Sequence, residues 1–413
     1  MQGHPLNKQY GMAAMYPSYL NDSVEVFSKE LNASLCCMIG QIEGSPNVIT
    51  ITDSTEAGEQ GYQDLLREQC KVTVDISALR KVIREFLPTD ILIFPGKYPV
   101  SDIAEVLREY KGKIHIDFQY EIEQLEVFSS FGISFDTLIL STSSTLFKGT
   151  YGGRVDELLK DLDPGKVNSI LLKENRGGAR YWDIDRINFS TPAFPSQTAH
   201  SVGVGDCFNA VFISMKEQFG IETSLKTASY ISAIYASTWS HDEFASLSAS
   251  VLDSVEEIKE MEGTLVHWED RQNIHIYIAG PDFPHIDTTW IEEIYKCLQY
   301  HNFVPHRPVK ENGIIIGHET EEQQLTAYHN DLELIDKSAV LVAVLINDDP
   351  GTYVEIGWAA HAGKPVILFD PNYRATNLFL KKTATLICNT LGEVIDAIYE
   401  LLGKEETKVV ERT

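Results

Sequence analysis

Asp349-Pro-Gly-Thr-Tyr-Val-Glu355-Ile-Gly-Trp-Ala-Ala-His-Ala-Gly-Lys-Pro-Val366 lies between two apolar runs, Ala339–Ile346 (AVLVAVLI) and Pro365–Phe369 (PVILF). Both runs are short, rich in β-branched residues and bounded by turn formers, the pattern of strands buried in a parallel sheet. Between them a Gly-containing loop leads into helical spacing over Tyr353–His361, and Gly363 suits the residue just past a helix end. Glu355 is therefore expected in the first turn of a helix, beyond the carboxyl end of a strand, where open α/β sheets gather ligand chemistry. A carboxylate at that place is either a partner for the helix amino terminus or a nucleophile or base.

Outward from this unit the same alternation continues. Upstream, Ile274–Ile278 reads as a strand, Thr288–His301 as a helix with Ile291, Ile294, Tyr295 and Leu298 on one face, and Gln323–Ile335 as a helix with Leu325, Tyr328, Leu332 and Ile335 as its stripe. Downstream, Leu391–Leu402 is a last helix and 404–413 a charged tail. A longer series precedes these elements. Its expected strands are Leu35–Ile39, Val48–Ile51, Asp90–Phe94, Lys113–Phe118, Thr137–Leu140 and Ser169–Lys173. Its expected helices are Ser77–Leu87, Asp102–Tyr110, a stretch near Val155–Leu162, and then Cys207–Gln218, Ser224–Ser237 and Leu252–Glu262 in succession. Alternating strands and helices imply largely parallel sheets. The expectation is an α/β protein of two domains, 1–263 and 272–403, joined by a linker at 264–271.

Bulk properties narrow the function. The chain has 413 residues, 43% hydrophobic and 23% charged, with 34 Lys+Arg against 60 Asp+Glu and a formal charge of −26. So acidic a chain is not built to bind polymeric nucleic acid through its phosphates, although small nucleotides bind in local sites. The cysteines at 36, 37, 70, 207, 297 and 388 form no CxxC pair and no cluster with His, which suggests neither a disulfide framework nor a metal site. The opening MQGHPLNKQYG has no apolar signal core and no run is long enough for a membrane span, so a cytoplasmic protein is expected.

Two constellations carry chemistry. In Ser201-Val-Gly203-Val204-Gly205-Asp206-Cys-Phe-Asn-Ala-Val-Phe212, glycines precede an Asp that opens a helix. Their backbone amides and the helix dipole suit an anion, and an Asp beside that hole can take a proton from an attacking hydroxyl; alone, the pattern is also that of a glycine turn with an acidic cap. In the C-terminal part, Tyr277 ends a strand in Tyr-Ile-Ala-Gly280-Pro, Asp331 lies in Asn330-Asp331-Leu on a helix, and Asp349 stands six residues before Glu355. Separately these are a packing tyrosine, a solvated helix carboxylate and a turn former. Together, in this order, they are a set that can converge on one sheet edge.

The C-terminal set, with Gly351-Thr-Tyr-Val-Glu355-Ile-Gly-Trp-Ala and Gly363-Lys-Pro-Val366, resembles the nucleoside 2-deoxyribosyltransferase family over nearly all of 272–403. That resemblance implies a flavodoxin-like doubly wound fold without a cofactor, and cleavage of an N-glycosidic bond through a covalent glycosyl ester. Carried over by position, Glu355 would be the nucleophile, Tyr277 would orient it, Asp331 and Asp349 would hold and protonate the base, and Gly280 and Gly351 would line the substrate site. The loop Gly280–His285 is acidic and lacks Arg, which favours an uncharged nucleoside, although Arg307 and Lys310 in the next loop could contact a phosphate.

The layout of 10–262, with GVGDCFNAVF, Asp90–Gly96, His115-Ile-Asp117 and Leu172-Lys-Glu-Asn-Arg-Gly177-Gly178-Ala-Arg-Tyr181, resembles the ribokinase-like (PfkB) carbohydrate and nucleoside kinases. The resemblance implies Asp206 as catalytic base, the backbone of Gly203, Val204 and Gly205 as the anion hole, and ATP with Mg²⁺ as donor. Two departures stand out: Tyr10-Gly11 is at best a remnant of the usual Gly-Gly, and Ser141–Phe147 holds no carboxylate where the family organises Mg²⁺. The sequence thus reads as a nucleoside-metabolism fusion that cleaves or transfers a (deoxy)ribosyl group and phosphorylates a nucleoside or sugar, as a homo-oligomer. The alternatives are a nucleoside 5′-monophosphate N-glycosidase with a non-catalytic kinase-like domain, and a non-enzymatic nucleotide sensor or assembly module.

Overall fold

In the computed structural model, residues 11–15, 35–44, 49–59, 63–64, 71–94, 96, 98–118, 125–252, 254–315 and 318–410 are described. The expectations for residues 1–10, for Val48 and for Cys70 fall outside them, including the Tyr10 half of the Gly-Gly remnant. The strands are β1 Gly11–Met15, β2 Leu35–Glu43, β3 Ile49–Thr50, β4 Gln63–Asp64, β5 Lys71–Val74, β6 Asp90–Ile93, β7 Lys113–Asp117, β8 Thr137–Ser141, β9 Ser169–Lys173, β10 Ala179–Asp183, β11 Asn188–Thr191, β12 His275–Ala279, β13 Val304–His306, β14 Val340–Val344, β15 Val366–Phe369 and β16 Leu386–Cys388. By packing, the chain divides into two compact units, one of Met1–Thr52, Gly61–Thr191 and Gly203–Met261, the other of Asp53–Gln60, Pro192–Val202 and Glu262–Thr413.

The first unit is built on a six-stranded sheet, ordered β11-β10-β9-β8-β7-β6. Strands β6 to β9 run parallel, as their continuous apolar runs predict, and β10 and β11 add antiparallel strands at one edge. A smaller sheet, β1-β2-β5, and the pair β3-β4 complete its strands among the described residues. Helices α1 Ile76–Phe86 and α2 Val100–Glu109 match the spacing closely. So do α3 Val204–Phe219 and α4 Ile221–Ala236, whose Phe208, Phe212, Met215, Leu225 and Ile231 pack against Ile139 and Leu171 of the sheet. A helix not foreseen, α5 His241–Leu252, precedes a single turn, Val255–Ile258, in place of the expected 252–262 helix.

The second unit is a five-stranded, all-parallel sheet in the order β13-β12-β14-β15-β16. That is the doubly wound order, with the direction of winding reversing between β12 and β14. After the single turn Trp268–Arg271, its helices among the described residues are α6 Thr289–Tyr300, α7 Pro308–Asn312, α8 Glu321–Lys337, α9 Pro350–His361, α10 Leu378–Thr383 and α11 Leu391–Val410. Successive strand residues point to opposite faces, and the core divides accordingly. Ile276, Ile278, Val340, Val342 and Val344 pack with Ile291, Ile294 and Leu298 of α6 and with Val394 and Ile398 of α11. Tyr277, Ala279, Leu341 and Ala343 pack with Ile335 of α8 and Ile356 and Ala359 of α9. This parity sends Tyr277 to the side that carries Asp331 and Glu355.

Three expectations change. Helix α9 begins three residues early because Asp349 caps it and Pro350 takes the first position, where its missing N–H costs nothing; Glu355 sits in the second turn. The final helix runs through the expected 404–413 tail to Val410. On α8 only Ile335 of the anticipated stripe is buried, while Leu325 and Tyr328 are each half exposed, because they lie two to three turns upstream of the part of the helix that meets the sheet.

Segment 53–60 is integral to the second unit. Ala57 is buried in its core, and its carbonyl oxygen lies 2.9 Å from Nε2 of fully buried His301, whose Nδ1 is 3.2 Å from the Tyr399 hydroxyl. Asp53 ties the segment into a turn through Thr55 and the Gly58 amide. A Cβ at Gly58 would lie 2.9 Å from Cys297 Sγ, itself buried. Gly58→Val is therefore expected to destabilise the second unit by about 1–3 kcal/mol, as overpacking does, read as a lowered denaturant midpoint; an unchanged midpoint would show that this turn does not pack on α6.

Candidate active site

The carboxyl edge of β12 and β14, where the winding reverses, is where a doubly wound sheet opens a crevice. Fully buried Tyr277 donates its hydroxyl hydrogen to Glu355 Oε1 across 2.6 Å. Glu355 is placed by helical spacing, between buried Thr352 and Ala359 on the inner face of α9 and next to buried Ile356. Burial pushes its carboxyl up to about 7; the Tyr277 hydrogen bond opposes this, and the charges of Asp331 and Asp349 add to it. The Tyr277 hydroxyl is in turn held far above its ordinary value, by burial first and then by the Glu355 charge and hydrogen bond. It is a fixed donor at every working pH.

Asp331 projects from α8 one turn before Ile335, and its Oδ1 accepts a hydrogen bond from Asn312 Nδ2 at 2.7 Å. Burial raises its carboxyl, Asn312 opposes the rise and the Glu311 charge adds to it. Asp349 caps α9, with Oδ2 accepting from the Thr352 amide at 2.8 Å and the Thr352 hydroxyl at 2.6 Å. So the helix-terminal role that was one reading of Glu355 belongs to Asp349, which at the same time places its charge near Glu355. Gly351 matters here because a Cβ on it would lie 3.2 Å from Asp349 Oδ2, and Gly280 because a Cβ would press on Ile291 at 3.0 Å. The sequence-predicted residues Tyr277, Asp331, Asp349 and Glu355 thus come together electrostatically around one carboxylate. Asn312 was missed: α7 spans five residues, too few for a periodic signal, and its Asn-Gly end reads as a loop.

Arg307 and Lys310 are both engaged by carboxylates. Buried Arg307 forks onto Asp282 through Nε at 2.8 Å and Nη2 at 2.7 Å and also pairs with Glu292, while Lys310 lies 3.0 Å from Glu292.

In the first unit, Gly203 caps α3 with a left-handed backbone, φ 76°, and no side-chain capping bond. The first amides of the helix have no intrahelical partner by position. Asp206 lies in the first turn, with burial raising its carboxyl, Lys173 opposing and Asp117 adding. Lys173 Nζ bonds Asp117 at 3.0 Å and Asn209 at 3.2 Å and would meet a Cβ on Gly205 at 3.0 Å. Gly203, Val204 and Gly205 thus stand at the amino terminus of α3 with the Lys173 ammonium close to Gly205. In the stretch Ser141–Phe147, Ser141 and Ser143 bond each other at 2.8 Å and Ser144 caps a short helix, and no metal-holding group of three His, Cys, Asp or Glu occurs among the described residues. No helix among them is long and apolar enough to cross a membrane.

Comparison with known proteins bears on the second unit most directly. The family model for nucleoside 2-deoxyribosyltransferase matches residues 276–400. This part of the chain resembles that family. A solved 2-deoxyribosyltransferase from the psychrotolerant bacterium Bacillus psychrosaccharolyticus is similar at 25% identity, covering 29% of this chain and 90% of that one, with a TM-score of 0.26. Ribokinase-like neighbours cover the larger share. Phosphofructokinase-2 from Escherichia coli has 12% identity, 60% and 84% coverage and a TM-score of 0.46. Fructokinase with bound ATP from Xylella fastidiosa has 12% identity, 62% and 88% coverage and a TM-score of 0.44. None of the three reaches a TM-score of 0.5, so none speaks to activity here. No curated protein matches the chain.

The raised Glu355 carboxyl has a consequence for stability. An acid at about 7 in the fold against 4.5 ordinarily favours folding only while protonated, so stability is highest below 4.5 and is lost as pH rises through 7. Glu355→Gln removes that penalty and is expected to stabilise the protein at pH 8 relative to wild type by on the order of 2–3 kcal/mol, with much less gain at pH 5. Thermal melts of both proteins at both pH values check this; an equal offset at the two would place the Glu355 titration elsewhere.

Proposed function

We propose that the second unit cleaves or transfers the N-glycosidic bond of a (deoxy)nucleoside through an ester of Glu355, and that the first unit phosphorylates a nucleoside or sugar with ATP. The observation that carries the first half is the 2.6 Å Tyr277–Glu355 hydrogen bond, at the switch point of the sheet and flanked by Asp331 and Asp349. A carboxylate near 7 is substantially ionised at neutral pH and remains basic enough to capture an oxocarbenium-like carbon. The Glu355 oxygen forms a bond to C1′ as the C1′–N bond breaks, and its electron pair leaves with the base. Asp331, with its carboxyl raised, supplies the proton the base needs. Water or a second base then attacks C1′ and releases Glu355. Arg307 and Lys310, already paired, favour an uncharged 5′ end over a 5′-phosphate. Exposed Leu325, Tyr328, Val354, Trp358, Leu378 and Phe379 on α8, α9 and α10 support self-association of this unit.

For the first unit, the left-handed Gly203 cap, the open helix amides and Asp206 in the first turn support proton abstraction from an acceptor hydroxyl beside an anion hole. ATP is the donor in this reading, and no step is assigned to Mg²⁺.

Assays of a deoxynucleoside panel, with and without an acceptor base and beside the 5′-monophosphates, test the first half. Glu355→Gln is expected to lower kcat by at least about 10³-fold with little change in KM. Wild-type rates in that variant, or turnover confined to the monophosphates, would overturn the reading. For the kinase half, Asp206→Asn is expected to slow ATP-dependent phosphorylation by about 10²–10⁴-fold, read from labelled product; equal rates would remove Asp206 as the base.

A further inference from the structure

Asn312 ends α7 and donates from Nδ2 to Asp331 Oδ1 at 2.7 Å, while Asn330 Nδ2 lies 3.5 Å from Asn312 Oδ1. The helix that carries it is fixed on several sides. Pro308 holds its first position and Gly313, at φ 85°, ends it. Immediately before it, Arg307 is locked by Asp282 and Glu292. Within it, Glu311 accepts from the Arg307 amide at 3.0 Å and lies 3.1 Å from His306 Nδ1, and His306 stands beside Tyr277 in the β12–β13 register. The run His306–Asn312 therefore spans from the strand that holds Tyr277 to the side chain of Asp331.

We propose that Asn312 is the positioning residue for Asp331, selecting which of its oxygens faces the departing base; this rests on the glycosyl-transfer reading above. A primary amide does not ionise in the working range, and its N–H can only donate. It therefore occupies Oδ1 whether Asp331 is protonated or not, and directs the proton to Oδ2. Without it, the half-buried carboxyl would turn freely about its last torsion, between Glu311 from α7, Tyr277 from β12 and Glu355 from α9. The proton is then presented to the base in only a fraction of orientations. Proton donation at the leaving nitrogen depends on that geometry first and on acidity second.

The distinguishing property is dependence on the leaving group. A departing purine or pyrimidine needs a proton; 4-nitrophenolate departs without one. In the full-length protein, Asn312→Ala is expected to lower kcat about 10-fold on a deoxynucleoside with KM within about twofold, and to change kcat on 4-nitrophenyl 2-deoxyriboside by less than about twofold. Asn312→Leu removes the N–H donor while nearly keeping the shape and adds no charge, and is expected to show the same split. Carboxyl-carbon NMR of Asp331 should titrate at higher pH in Asn312→Ala, since a donor to the ionised form is gone. Equal losses on both substrates, or an unmoved Asp331 titration, would reduce Asn312 to a structural contact. Wild-type protein inert toward every deoxyriboside would instead sink the glycosyl-transfer reading, and the Asn312 role with it.

Discussion

The second unit is organised around one hydrogen bond between a fully buried phenol and a carboxylate 78 residues away. Its geometry requires a sheet whose β12 points alternate residues to opposite faces, so that Ile276 and Ile278 anchor one layer and Tyr277 the other. It also requires α9, Pro350–His361, to turn the face that carries Thr352, Ile356 and Ala359 inward. Asp349 secures the start of that helix by capping it through Thr352. Burying Glu355 among other carboxylates is unfavourable for its ionised form. The fold tolerates this because the surrounding core, with Leu341, Ala343, Ile356 and Ala359 nearly inaccessible, supplies hydrophobic stabilisation well beyond one raised carboxyl.

The strands were legible because each is a short apolar run between turn residues, and β14 and β15 are found within a residue or two of AVLVAVLI and PVILF. Tyr277, Asp331, Asp349 and Glu355 were read as a set from their order and from the family resemblance of their motifs, and in the structure Tyr277 bonds Glu355 while Asp331 and Asp349 lie near enough to raise its carboxyl. What was misread follows from length and range. The Pro350-Gly351 pair looks like a loop, and only the Asp-Pro combination of cap and first helical residue betrays the helix. Helix α7 is too short to show a period, which hid Asn312. Leu325 and Tyr328, each half exposed, belong to the same apolar stripe as buried Ile335, so periodicity alone overestimated how far α8 packs.

The contribution of 53–60 and 192–202 to the second unit was not legible at all. Ala57 and His301 are joined by a contact across 244 residues, and no local pattern records such a pairing. A contiguous boundary near 263 follows naturally from composition, whereas packing draws the unit from three stretches of chain. In the first unit, Gly203 was read directly as a break before a helix, because φ 76° there is a backbone requirement that side chains rarely meet, while Val204, Gly205 and Asp206 already lie within α3. The ion pair of Lys173 with Asp117 beside Gly205 joins β9 to β7 across the intervening β8 and appeared only with the sheet.

The central claim is that Glu355 becomes covalently bound to the sugar. Mass spectrometry of peptides from protein reacted with a 2′-fluoro deoxynucleoside analogue, which slows release of the ester, tests it most directly. The account predicts one added fluorodeoxyribosyl group, located on Glu355 and absent from Glu355→Gln. An unlabelled Glu355 in protein that still turns over the analogue, or a label on another residue, would contradict it.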